Sequence, residues 1–341
     1  MPIPVASLCG APRAGGAAAS PRCSRGIVHR LLALALGASA CAGPGGDEHP
    51  PGGGDSAGTG PAVPNSATAG AESTYYRTVA FLSMVNRQTM IVPWDFENRS
   101  TSEGVERTLR GWLGRGGRWS QFADEEWSTP PSRSPWGILP RGEEARLIVG
   151  DGGVVRELYY RQGIRDLSVR PGALIAEWRG SGGDTYRLHR ARARLAEVEY
   201  LGVAIDAFAT VPGGQSHPPG WLLLVGDGPL YLLVAESKGA GSHRAWALKG
   251  DDEMLWPAVA ISWTETATYG SVGLEVPVSW TLDSGDGTLV GEIEPVASQL
   301  QAVGGEGGVL PELGGFEVEG EVRVDGAEVR VRGFLRRFAG R

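Results

Sequence analysis

The chain is predicted to be all-β and antiparallel, built as β-barrels or, alternatively, as two β-sandwiches. Three observations carry this. Strand-like runs recur at 145–149, 154–160, 174–178, 186–195, 221–225, 230–235, 258–263 and 276–282. Turn signals separate them at Gly150-Asp151-Gly152-Gly153, Ser181-Gly182-Gly183-Asp184, Gly226-Asp227-Gly228 and Asp283-Ser284-Gly285-Asp286-Gly287. The chain then ends in a hairpin whose register can be read from its charges. Short strands with turns roughly every 8 to 12 residues indicate a barrel or a sandwich.

The first element is a leader, residues 1–41. Arg22, Arg25 and Arg30 precede the apolar stretch Leu31 to Leu36, and small residues run up to Cys41. A basic stretch, an apolar run of about ten residues and small residues at the end make a secretory signal. It is too short for a bilayer span, which needs roughly 20 apolar residues. Ala38-Ser39-Ala40-Cys41 resembles the lipobox of bacterial lipoproteins, with Ala38 where Leu is usual. That resemblance implies that Cys41 is acylated and becomes the mature N-terminus; the alternative is a soluble export signal cleaved near Ala40. Cys9 and Cys23 fall in the leader, so Cys41 is the only thiol left and no intramolecular disulfide is expected. Ala42, in place of Asp, resembles lipoproteins sorted to the outer membrane.

Residues 42–71 come next, with nine Gly and five Pro and no aromatic residue. Such a segment cannot bury enough apolar surface to offset chain entropy and reads as a disordered tether. It would hold a folded domain on the order of 30 Å from a membrane. Removing residues 1–40 takes away four arginines and no acid, lowering the net charge from −7 to −11. That balance argues against nucleic acid as a partner.

A first β domain is expected over 72–197 and a second over 198–341. Within the first, 103–112 reads as a short helix capped by Ser100 or Ser102. In 186–195 the apolar side switches from Tyr186 and Leu188 to Ala191, Ala193 and Leu195, which predicts a bulge near His189. The second domain ends in the clearest element. Phe316, Val318, Val322 and Val324 alternate with Glu317, Glu319, Glu321 and Arg323, and Ala327, Val329 and Val331 alternate with Glu328, Arg330 and Arg332. Asp325-Gly326 between them is a two-residue hairpin signal, since both turn positions need positive φ. That turn opposes Arg323 to Glu328, Glu321 to Arg330, Glu319 to Arg332 and Val322 to Val329, with the apolar face in a core.

The succession 200–206, Gly220-Trp221 before Asp227-Gly228, Tyr269 with Val276-Pro277-Val278-Ser279-Trp280, and the 316–333 hairpin resembles a known family. These are the tandem lipocalin-like proteins that include bacterial carotenoid hydratases and fungal pericyclases. The resemblance covers roughly 195–341. It implies two lipocalin-like barrels enclosing apolar pockets for long hydrophobic molecules. The family's enzymes carry His, Gln or aromatic residues after the Asp, whereas Ala207, Phe208 and Ala209 follow Asp206 here.

The chemistry is sparse. The mature chain has four scattered histidines, His49, His189, His217 and His243, and no metal-ligand spacing, so neither metal nor cofactor is expected. No phosphate loop or nucleophile elbow is present. The ligand-binding candidates are Asp206, His217, Trp221, Tyr269 and Trp280, polar or aromatic residues set in apolar strands or at their ends. Asp206 is also the candidate catalytic acid, if burial raises its pKa; its plain reading is an exposed strand residue. His217 could donate a proton at a pocket mouth or sit in a surface loop. Glu236 reads as a solvent residue ending its strand, and the tryptophans serve a cavity or a core equally well. The leading expectation is an envelope-anchored lipoprotein, its acylated N-terminus in the membrane and a hydrophobic small molecule (lipid, terpenoid or pigment) in a barrel pocket. The alternative is a hydratase or isomerase acting on a hydrophobic polyene-type substrate. A ligand-free envelope scaffold is third.

Overall fold

The computed structural model describes residues 72–85, 88–138, 144–150, 153–162, 165–212, 219–237, 243–269, 274–305 and 308–336. Cys41, the leader and the tether lie outside them. The strands of the first half are β1 Ser73–Val85, β2 Gln88–Ser100, β3 Val105–Arg115, β4 Arg118–Thr129, β5 Ala145–Val149, β6 Val155–Gln162, β7 Arg165–Arg179, β8 Thr185–Leu195 and β9 Val198–Pro212. Those of the second are β10 Trp221–Gly226, β11 Leu230–Glu236, β12 His243–Lys249, β13 Asp252–Tyr269, β14 Leu274–Asp283, β15 Leu289–Gly305, β16 Gly308–Val324 and β17 Ala327–Arg336. The fold is all-β, as the turn spacing predicted.

The two halves differ in closure. β10 to β17 form a closed eight-stranded barrel, sealed where β17 pairs with β10. Gly333 sits at that seam, and a Cβ there would run into the carbonyl oxygen of Leu223, so only glycine lets the two strands meet. The first nine strands form one sheet in the order β4-β3-β2-β1-β9-β8-β7-β6-β5. This sheet curls without its edge strands pairing. Phe122 on β4 reaches Tyr160 on β6, with ring centroids 4.9 Å apart, so aromatic packing spans the gap that hydrogen bonds leave. One closed barrel and one curled half-barrel sheet are thus the expected pair of β units, the first of them left open along one side.

Three expectations are corrected. Residues 103–112 are mostly strand β3, paired with β2 and β4, and not a helix. Val105, Arg107 and Leu109 alternate inward, and the arginine at an apolar position hid the period of two. The bulge lies in β7 and not at His189: register slips between Pro171 and Ala176, opposite His189, while β8 pairs evenly with β9. The apparent parity switch has another cause. Tyr186 and Leu188 pack toward the barrel, whereas Ala191 and Ala193 pack inside the half-barrel. Finally, β9 pairs with β1 and β8, so the passage from sheet to barrel falls between Pro212 and Trp221 and not at residue 197.

The C-terminal hairpin is as its charges required. Asp325 and Gly326 have φ of 51° and 75°. All four expected register pairs occur, and Glu321–Arg330 and Glu319–Arg332 close to 3.3 and 3.4 Å.

Three apolar clusters hold the molecule. One fills the barrel around Leu224, Leu232, Trp280, Ile293 and Val322. The second fills the concave side of the sheet around Phe81, Trp94, Leu109 and Leu158. The third joins the halves, with Leu82, Trp178, Tyr186, Leu188 and Ile205 from the sheet against Trp221, Leu223, Leu233, Trp246 and Phe334 from the barrel. Each fully buried Leu or Ile in it contributes roughly 1.5–3 kcal/mol. An interface that apolar holds its two sides in one arrangement.

Candidate ligand site between the two halves

At one end of the joining core, β1, β8 and β9 of the sheet and β10 and β17 of the barrel leave a cleft. Tyr76, Tyr186, Phe208 and Trp221 give it aromatic walls, and Thr78, Pro219 and Arg336 complete it with two small alanines of β9. Its empty space is about 250 Å³, open solvent included, of which about 10 Å³ admits the centre of a water molecule. Strand alternation builds it: Tyr76 and Thr78 share the outward face of β1 with Ala80 and Leu82, which pack in the joining core.

Its polar groups are tied down in different ways. Arg336 on β17 forms an ion pair with Asp95 on β2, and the Thr78 hydroxyl donates to the same carboxylate oxygen at 2.5 Å. That bridge crosses from barrel to sheet and neutralises the guanidinium. Tyr186, only 1% exposed, has a buried hydroxyl without a hydrogen-bond partner among the described residues. Burial, then the negative charges of Asp184 and Glu236, push its pKa far above the ordinary value, so it stays a neutral donor.

Glu236 lies behind the cleft and not in open solvent. It ends β11, is half-buried, and accepts the Gly220 amide at 2.7 Å. His243, its register partner on β12, is buried. Burial lowers the imidazole pKa, while Glu236 and the Val259 backbone oppose that. Tyr186, Glu236 and His243 thus gather within one electrostatic neighbourhood, drawn from three strands of two halves.

The sequence candidates fall into separate compartments. Trp221 lines the cleft. Trp280 is inside the closed barrel, packed edge-on against Phe316 at 5.3 Å. Asp206 is buried within the half-barrel and not exposed; Arg77 grips both carboxylate oxygens, at 2.7 and 2.6 Å, and also donates to the Gly153 carbonyl at 2.7 Å. Burial opposes the charge on Arg77, but the charge and hydrogen bonds of Asp206 outweigh it and hold the guanidinium above its ordinary pKa. With both oxygens engaged, Asp206 presents no free face to a ligand. His217 lies outside the described residues. Tyr269 ends β13, with its side chain outside the described set.

Other polar groups line the half-barrel. Arg187 pairs with Glu177 at 2.9 Å, and His189 Nδ1 meets the Gly172 carbonyl at 3.1 Å. Arg107, 1% exposed, donates to Asn98, Thr129 and the Gly137 carbonyl, and burial lowers its pKa. Sequence reasoning missed Tyr186 and Arg336 as site residues. The only signal for Tyr186 was a large aromatic at the start of a strand apolar on both faces.

No family model and no curated protein matches the chain. Solved structures do. A protein designated AttH from Nitrosomonas europaea superposes with a TM-score of 0.50 at 11% identity, over 79% of this chain and 93% of that one. Kievitone hydratase from Nectria haematococca superposes with a TM-score of 0.51 at 9% identity, over 78% and 89% of the two chains. At such identities the likeness is one of fold. The architecture, a closed eight-stranded barrel beside a curled half-barrel sheet, is lipocalin-like in tandem.

Proposed function

We propose that this protein is an envelope-anchored lipoprotein, acylated at Cys41, that binds a hydrophobic small molecule in the cleft between its two halves. The observation that carries the binding reading is the aromatic wall of Tyr76, Tyr186, Phe208 and Trp221 around an open concavity. The barrel interior is a poorer host, because Trp280 and its neighbours fill it. The site therefore moves from a barrel pocket to the seam beside it.

Catalysis is the second reading, a hydratase or isomerase acting on a hydrophobic polyene-type substrate. The electrostatic coupling of Glu236 both to Tyr186, in the cleft lining, and to His243 favours it. It ranks second because, among the described residues, the cleft lining holds no carboxylate or imidazole, and Tyr186 is held neutral.

Native mass spectrometry of the full chain, purified in detergent from its own host, tests both parts. A diacylglycerol-sized increment on the mature N-terminus is expected, with a second discrete mass lost on denaturation. A mature chain without the lipid increment overturns the anchor. No releasable mass, and no uptake of a terpenoid or carotenoid mixture, overturns the binding reading and leaves the scaffold.

A further inference from the structure

Of the polar groups that line the cleft, the Tyr186 hydroxyl has no counterpart among the described residues. Arg336 and Thr78 both satisfy Asp95, whereas the Tyr186 hydroxyl is buried and unpaired among the described residues. Buried tyrosine hydroxyls normally find a partner, because an unmet donor is costly. We propose that the Tyr186 hydroxyl is the recognition donor of this site, and that its ligand is a neutral hydrophobic molecule bearing a carbonyl or hydroxyl oxygen. The inference rests on the cleft reading above and deepens it.

Neutrality follows from the charges around the ring. Asp184 and Glu236 act on Tyr186 as negative charges, so a carboxylate or phosphate brought to the hydroxyl meets repulsion. The nearby cation, Arg336, is already spent on Asp95. The cleft lining holds the cation Arg336 and no carboxylate, so it offers a cationic ligand no counter-ion. An alkane would fill the aromatic walls but leave the donor unmet. A neutral oxygen satisfies both, and a site built around one donor discriminates strongly against the congener lacking the acceptor. Because the phenol stays protonated, recognition does not change between pH 6 and 8.

The test compares 2-decalone with decalin, which differ by one carbonyl, on the full chain in detergent and on Tyr186→Phe. Binding is followed by tryptophan fluorescence, and melting by calorimetry. Wild type is expected to prefer the ketone about tenfold. The variant is expected to lose that preference, retain decalin binding, and melt at or above the wild-type temperature, since it removes an unmet donor. An unchanged ratio in the variant, or equal binding of the two probes by wild type, overturns the role of Tyr186. A lowered melting temperature does so too, by showing that the hydroxyl is paired within the fold. Binding of neither probe overturns the cleft itself.

Discussion

The closed barrel and the curled sheet bury their interiors differently. Inside the barrel, Leu224, Leu232, Trp280, Ile293 and Val322 pack as one apolar cluster. Inside the half-barrel, a comparable cluster shares its space with Arg77–Asp206, Arg187–Glu177, Arg107 and His189. The difference follows from closure. A barrel sealed by strands on every side offers a buried charge no partner beyond its own walls. A sheet left open admits loop backbone, and two glycine carbonyls enter, Gly153 to Arg77 and Gly137 to Arg107, while the bulge in β7 turns the Gly172 carbonyl to His189. Tertiary connection, and not strand chemistry alone, decides which polar residues a β interior tolerates.

Paired substitutions break the comparison most sharply. Trp280→Ala should cost about 4 kcal/mol by leaving a cavity in the barrel, read as lost unfolding free energy in urea. Asp206→Asn should cost about 3 kcal/mol in the half-barrel, because it strands the Arg77 charge. If closure governs burial as described, Asp206→Leu is no better than Asp206→Asn, since an apolar residue leaves the same cation unmet. A stable Asp206→Leu variant would contradict this.

A smaller effect sits between the halves. Glu317 is 4% exposed, with one carboxylate oxygen unpartnered among the described residues. Burial raises its pKa and Glu319 adds to that, while the Thr89 hydrogen bond and Arg332 pull it down. A carboxyl raised in the folded state makes the folded chain hold its proton more tightly. Its contribution is fully present below the unfolded carboxylate value and is lost as pH rises through the folded one. Glu317→Gln should therefore melt higher than wild type at pH 7, with the gap closing toward pH 4. A wild type that melts higher at pH 7 would reverse the sign. Smallest of all, Glu321→Ala on the hairpin surface should cost only a few tenths of a kcal/mol, since its pair with Arg330 is solvent-exposed.

Legibility in the sequence followed the same division. The barrel hairpin could be read to the residue, because Phe316, Val318 and Val322 alternate cleanly with charges and Asp325-Gly326 forces the turn. Even there Glu317, placed by alternation in solvent, is covered by the other half, which no local pattern encodes. Strand β3 was misread because Arg107 occupies an inward position. The site was least legible. Tyr76, Tyr186, Trp221 and Arg336 come from four strands spread over much of the chain, and each looks like an ordinary strand residue in its own segment. Only Trp221 was singled out in advance, and Asp206, the strongest chemical candidate, proved to be a structural partner of Arg77.

The most direct test of the cleft is fluorine NMR on the full chain labelled with 5-fluorotryptophan. The resonances of Trp221 and Trp280, among eleven tryptophans, would be assigned by single Trp→Phe replacements and followed during titration with 2-decalone. Saturable movement of the Trp221 resonance while Trp280 stays fixed is the expected result. Movement of Trp280 with Trp221 unperturbed would place the ligand inside the closed barrel and contradict the account.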